Sequence, residues 1–275
     1  ISSLPVLGGY HGDFNITNYN IGSGLSTSKI HDSAQDTLGR VWFATAHGAS
    51  VYDGYRWTNY ELLDETNKAG FKRVVVDKKG VVWLAPVAAP HHILVNHGKK
   101  WEKFAKPPET LNSVPYTTGF EVIYIKDKPM IALATASEIL ILFDGKWQKI
   151  DKTNSPISAE ILGLTSFEEK FFVATGSGFL SIEFDSNLRV IVQNNLFDIK
   201  DPVYAVSVHR HSGKSPHFYI LSATWFGLVQ DGKLTTIELP AKIELMRQFP
   251  YYFITADKDE KIYYGNKVSK YLYDR

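Results

Sequence analysis

The chain has 275 residues, with 30 Lys and Arg against 29 Asp and Glu, a formal net charge of +1. So even a balance excludes the basic footprint of nucleic-acid binding, and the absence of cysteine excludes disulfides, thiolate catalysis, Cys-ligated zinc and iron–sulfur clusters. The outlier is aromatic content, 15 Tyr, 16 Phe and 6 Trp beside 2 Met, which is what a pleated, half-buried surface selects.

At the N-terminus Ile1 is followed by Ser2, Ser3 and Pro5, with no signal-peptide pattern. The missing initiator Met fits a processed chain, compatible with export, or a piece of a longer protein. A strand is expected around Phe14–Tyr19, and the clearest unit follows it. That unit reads Lys29–Gln35, a turn Asp36-Thr37-Leu38-Gly39, Arg40–Thr45, a turn His47-Gly48, Ala49–Tyr52, a turn Asp53-Gly54, and Tyr55–Tyr60. Short apolar runs closed by Gly, Asp-Gly or Asn are the signature of strands and hairpins. No run approaches the roughly 18 apolar residues of a membrane span; the longest, from Ile131 to Phe143, contains Thr135, Ser137 and Glu138.

The unit repeats. Its last turn recurs as His11-Gly12, Asp53-Gly54, His97-Gly98, Asp144-Gly145, Asp185-Ser186, Asp231-Gly232 and Asp274-Arg275, at steps of 42, 44, 47, 41, 46 and 43 residues. Asp-Gly between alternating strands predicts type I′ hairpins, with positive φ at both central residues. A second marker keeps the same period: Trp42-Phe43-Ala44-Thr45, Trp83-Leu84-Ala85-Pro86, Leu133-Ala134-Thr135, Val173-Ala174-Thr175 and Ser222-Ala223-Thr224. Four strands per 40–50 residues is the period of a β-propeller blade. The prediction is a single all-β domain over 1–275, a propeller of six four-stranded blades, or seven if the chain is a fragment. The N-terminal strand would close the last blade and so remove an exposed sheet edge.

Between Asn18 and Tyr60 stand Gly24-Leu25-Ser26, Ile30, Gln35-Asp36, Gly39-Arg40-Val41-Trp42-Phe43-Ala44-Thr45, His47-Gly48 and Tyr52-Asp53-Gly54. This pattern resembles the two-component regulator propeller repeat, and Asp77, Gly80 and Trp83 keep its spacing in the next unit. The third unit has Lys128-Pro129 and no Trp, and the fourth has Phe172 in its place. The resemblance implies a periplasmic sensory propeller of a hybrid histidine kinase or membrane-bound diguanylate cyclase. Such a domain is attached to the inner membrane through a segment outside this chain.

The repeat residues themselves form turns and fill the wedges between blades, so Trp42, Trp57, Trp83, Trp101 and Trp147 are assigned to packing. Trp225, in Thr224-Trp225-Phe226-Gly227, is off the repeat and is a candidate stacking platform for a sugar ring or peptide. Because strands alternate in direction, turns between second and third strands share one face with the connections between blades. That face gathers His47, His91, His92 and Trp225, and, from the starts of innermost strands, Lys72, Arg73, Tyr116 and Arg247. These eight are the candidate ligand-binding residues, and their excess of cations favours a polar or anionic ligand. The turn from Pro86 to His92 is enlarged, as binding turns of repeat arrays often are.

Catalytic signatures are missing: no P-loop, no dinucleotide fingerprint, no nucleophile elbow and no His-Glu-x-x-His. His91 and His92 are adjacent and would point to opposite sides of a strand, while His209 and His211 lack a third ligand. No metal, cofactor or catalytic residue is therefore expected. The expected partners are a small molecule, an oligosaccharide or a protein, a second copy of the chain included. The alternatives are a lyase like the streptogramin lyases, with His47 or His92 as base, and a non-catalytic interaction scaffold.

Overall fold

The Asp-x-x-Gly turns explain why the strands begin where they do. Asp36 Oδ1 accepts the amides of Leu38 and Arg40, both at 3.0 Å, and Oδ2 accepts Trp42 Nε1 at 2.9 Å and Arg40 Nε at 2.7 Å. Asp77 repeats the arrangement with the amides of Lys79 (2.8 Å) and Val81 (3.0 Å), Trp83 Nε1 (2.7 Å) and the Tyr124 hydroxyl (2.7 Å). One carboxylate thus closes the hairpin and fixes the tryptophan that starts the wedge of the next core. The Ala-Thr marker has an equally local cause. Thr45 Oγ1 donates to Gly48 O (3.1 Å) and accepts His47 N (3.1 Å), and Thr175 does the same with Gly178 O (2.9 Å) and Ser177 N (3.3 Å).

The computed structural model describes residues 19–63, 70–87, 91–98, 100–108, 117–193, 196–209, 217–222 and 224–238, and the backbone of 252–256, 262–266 and 270–273. It is built of antiparallel sheets, each in simple up-and-down order. The first contains β1 (Ile30–Gln35), β2 (Val41–Thr45), β3 (Gly48–Tyr52) and β4 (Trp57–Glu61). The second contains β5 (Phe71–Val76), β6 (Val82–Pro86), β7 (Ile93–Asn96) and β8 (Trp101–Ala105). The third contains β9 (Gly119–Ile125), β10 (Lys128–Ala134), β11 (Glu138–Phe143) and β12 (Lys146–Asp151). The fourth contains β13 (Ile161–Phe167), β14 (Lys170–Thr175), β15 (Gly178–Phe184) and β16 (Val190–Gln193). The fifth contains β17 (Ala205–His209), β18 (His217–Leu221), β19 (Trp225–Gln230) and β20 (Lys233–Glu238). A three-stranded sheet of β21 (Tyr252–Ala256), β22 (Ile262–Asn266) and β23 (Lys270–Tyr273) follows.

Two compact units are formed, one of residues 19–203 and one that includes 204–275. In the larger unit the first strands β1, β5, β9 and β13 lie side by side, and neighbouring sheets enclose a core. Trp42, Val51, Val74 and Leu84 form the core between the first and second sheets. Trp83, Ile93, Phe120 and Leu133 form the next, and Met130, Ile141, Phe171 and Leu180 the third. Successive residues of β10 therefore enter different cores: Met130 and Ala132 one, Ile131 and Leu133 the other. In the smaller unit β17 likewise lies against β21.

The segment from Tyr19 to Ser26 packs on the side of the first sheet that carries Phe43 and Trp57. Tyr19 meets Tyr52 and Trp57 at ring distances of 5.0 and 5.6 Å, Gly24 O accepts Asn59 Nδ2 at 2.9 Å, and Ser26 Oγ lies 3.0 Å from Ser50 Oγ. The Gly-Leu-Ser motif is thus structural.

Three expectations need correction. Among the described marker turns, Asp144-Gly145 and Asp231-Gly232 have positive φ at both residues, 53–54 and 97–98 at the glycine alone, and Asp185-Ser186 at neither. At 53–54 and 97–98 the side chains of Asp53 and Asn96 accept the turn amides, so the turn is held with its glycine alone at positive φ. In the fifth sheet the marker is displaced by two residues. Leu221 pairs with Phe226 and Ser222 N donates to Trp225 O (2.9 Å), so Ser222 holds the threonine position. Trp225, expected in the turn between second and third strands, instead begins β19, and Gly227 lies within that strand opposite Ile220. The N-terminal closing strand lies outside the described residues apart from Tyr19. Among the described residues no helix is long and apolar enough to cross a membrane.

Candidate functional site

The chemistry of the larger unit concentrates where β1 and β5 begin. Each strand carries a bulge: Ile30 pairs with Thr45 and Asp32 with Ala44, leaving His31 extra, and Phe71 pairs with Pro86 and Arg73 with Ala85, leaving Lys72 extra. A bulge re-aims the side chains beside it and is common next to functional sites. Here it presents two pairs of titratable side chains, His31-Asp32 and Lys72-Arg73, on adjacent inner strands.

Side chains rather than a backbone ladder join these strands. His31 Nδ1 donates to Phe71 O at 2.7 Å, and Asp32 Oδ2 accepts Val74 N at 3.2 Å. Arg73 Nη2 donates to the carbonyl of Thr118, and its Nη1 lies 3.9 Å from Asp32 Oδ2. Further along the inner strands Ser166 donates to Glu121 Oε2 at 2.8 Å. Arg73 Nε and Thr118 Oγ1 are buried and take no hydrogen bond among the described residues. Lys72 is buried, yet Asp32 and Arg73 keep 26% and 31% of their side-chain surface, so solutes reach the pair.

Burial pushes the Asp32 carboxyl above the usual carboxylate range, against the opposing pull of Arg73 and the Val74 and Ser33 amides. Burial also lowers the His31 imidazole; Phe71 O opposes this, and the positive charges of Lys72 and Lys29 reinforce it. Burial thus disfavours the charged form of both groups, while Arg73 and the two amides pull the aspartate the other way, and Lys29, Lys72 and Arg73 stand close by.

Of the residues singled out in the sequence, Lys72 and Arg73 belong to this cluster. His47 is exposed on the turn between β2 and β3, and His91 and His92 are half-buried before β7. Within this unit backbone bonds tie the blade connections to the preceding turns: Thr117 N donates to Val87 O (3.4 Å) and Ile161 N to Ala136 O (2.8 Å). Trp225 is half-buried in the smaller unit, its ring over Gly227, where an added Cβ would meet Trp225 Cζ3 at 3.0 Å. Tyr116 and Arg247 lie outside the described residues. His31, Asp32 and Thr118 escaped the sequence reading; the available signal was a run of polar residues, His31-Asp32-Ser33, inside a strand. Among the described residues no three His, Asp or Glu side chains converge to hold a metal ion.

No family model and no curated protein sequence matches the chain. Solved structures do. Virginiamycin B lyase from Staphylococcus aureus superimposes with a TM-score of 0.61 at 12% identity, covering 90% of this chain and 85% of its own. The extracellular domain of BT4673, assigned to a one-component system of B. thetaiotaomicron, gives 0.62 at 14% identity over 92% of this chain and 32% of its own. PorZ, a surface component of the type-IX secretion system of Porphyromonas gingivalis, gives 0.56 at 12% over 88% and 38%. The chain thus spans about a third of the length of the BT4673 chain. At such identities the likeness establishes the fold: an all-β propeller of four-stranded blades.

Proposed function

We propose that this chain is the extracytoplasmic ligand-sensing propeller of a bacterial signal receptor, without catalytic activity of its own. It would act from the periplasmic side of the inner membrane, and occupancy would be relayed to an output module in another part of a longer protein. The observation that carries this reading is the charged cluster: two adjacent inner strands, bulged at their starts as β13 also is, place His31, Asp32, Lys72 and Arg73 together at a solvent-reachable edge. The likeness to the extracellular BT4673 domain and the two-component propeller pattern of Asn18–Tyr60 support it. The ligand is a small polar molecule or an oligosaccharide, since the cluster offers charged groups and little apolar surface.

A lyase reading draws on the likeness to the S. aureus enzyme. In this chain His47 or His92 would have to serve as the base. The test is a thermal-shift screen of the 275-residue chain against saccharides, amino acids, organic acids and divalent metals. A receptor ligand at about 100 times its Kd adds about 2.7 kcal/mol by mass action, and it is recovered chemically unchanged. Conversion of the ligand, lost in a His47→Ala/His92→Ala double variant, would replace the receptor by an enzyme. No shift with any ligand would favour an interaction scaffold.

A further inference from the structure

Arg73 is held firmly and used incompletely. Nη2 is committed to the Thr118 carbonyl, Nε is buried without a hydrogen-bond partner among the described residues, and Nη1 lies 3.9 Å from Asp32, too far for a hydrogen bond. Asp32 is held at that distance by the amides it accepts, Ser33 N on Oδ1 at 2.9 Å and Val74 N on Oδ2 at 3.2 Å. The aspartate therefore offsets the guanidinium charge from a distance and leaves donors of the fork available. Lys72 acts electrostatically on Asp32, and Lys29 and Lys72 both act on His31, so positive charge exceeds negative around the fork. A planar guanidinium with a fixed edge matches a carboxylate better than it matches a neutral hydroxyl.

We infer that Arg73 anchors a carboxylate-binding subsite on the inner-strand edge of residues 19–203, with Asp32 as a positioning residue that also competes with the ligand. The molecule sensed is then an acidic one, such as a sugar acid. This rests on reading that edge as the receptor's ligand site. The incoming carboxylate accepts from the Arg73 Nη groups while Asp32 stays on its backbone amides, close enough to repel. That repulsion sets the selectivity: it weakens every anion, and only a ligand able to take two parallel N–H bonds overcomes it.

The inference is tested by calorimetric titration of the 275-residue chain with D-glucuronate and D-galacturonate, their neutral parents D-glucose and D-galactose, and inorganic sulfate. At least one uronate should bind roughly 10-fold or more tightly than its parent, and Arg73→Gln should weaken it roughly 10- to 100-fold, the range for a lost charge-assisted hydrogen bond, with Arg73→Lys in between. Asp32→Asn should tighten binding about 3- to 10-fold by removing a like charge near the fork. If Arg73→Gln fails to fold, as judged by circular dichroism, Asp32→Asn decides alone. Uronates binding no better than their parents, sulfate binding as tightly as a uronate, or Asp32→Asn weakening the uronate would each overturn the assignment. A neutral sugar that binds and is indifferent to Arg73 would sink this inference while leaving the receptor reading intact; silence from every ligand in the wider screen would sink both.

Discussion

Asp77 and Tyr124 show how much of a blade junction can rest on one carboxylate. The aspartate accepts two turn amides, an indole and a phenol, and the phenol comes from the neighbouring sheet. Burial first, then the bond to Asp77 and its negative charge, push the Tyr124 hydroxyl well above its ordinary value. A group whose pKa is raised on folding stabilises the fold fully below its unfolded pKa, near 10 for tyrosine, and loses that contribution as the pH climbs toward the folded value. Tyr124→Phe should therefore cost about 1–2 kcal/mol at pH 7, and the gap from the unaltered chain should narrow above pH ~10. Phenylalanine keeps the ring that Lys79 Nζ lies over at 4.2 Å, so the cation–π contact drops out of the comparison. Urea midpoints of both proteins at about pH 7, 9 and 10.5, on either side of the unfolded value, provide the check; a gap that stays constant or widens would contradict the assignment.

Where sheets meet, glycine does two separable things. Gly70 and Gly80 have nearly equal φ, +79° and +76°, so an added Cβ strains the backbone similarly at both. Their surroundings differ: at Gly70 it would lie 2.5 Å from Thr45 O and 2.6 Å from Ala46 O, at Gly80 no closer than 3.8 Å to Thr37 Oγ1. Gly80→Ala should cost about 1–2 kcal/mol, the strain alone, and Gly70→Ala about 2 kcal/mol more, because backbone of the first sheet must move. Equal losses of denaturant midpoint would refute the close approach. The strands and turns around these glycines were readable because each signal is local: Asp36 and Asp77 hold their own turns and tryptophans, and Thr45 reaches only its own turn. The bulges were not readable, because His31 and Lys72 are extra residues only relative to the partner strand, and pairing leaves no mark on local composition. The candidate site was therefore half legible. Lys72 and Arg73 stood out as charges at a strand start, while Asp32 looked like an ordinary polar strand residue. In the fifth sheet, where Ser222 replaces threonine, an Ala-Thr pair two residues late attracted the wrong alignment.

On the scale of the four sheets of residues 19–203, each core is shared by one pair of neighbours. Met130 and Leu133 sit on one strand yet in different cores, as do Trp83 and Leu84. This is why β10 and β11 read as unbroken apolar runs while the outer strand β16 alternates, Val190 and Val192 on the third core and Ile191 exposed: a sheet covered on both flanks has no polar side. The same fact makes the unit a chain of nearest-neighbour contacts, as in other repeat proteins, so energetic coupling should fade after one interface. Leu84→Ala and Leu180→Ala lie in the first and third cores, with no shared cluster. Each should cost about 2–5 kcal/mol, and the double variant should equal their sum within about 0.5 kcal/mol. Ile93→Ala and Leu133→Ala share the middle core, and their double variant should depart from additivity by about 0.5–3 kcal/mol. Chemical denaturation of the four single and two double variants separates the two patterns. Strong coupling between Leu84 and Leu180 would show that the unit responds as one body, and a ligand at Arg73 could then be felt in the fourth sheet instead of only by the blades that hold it.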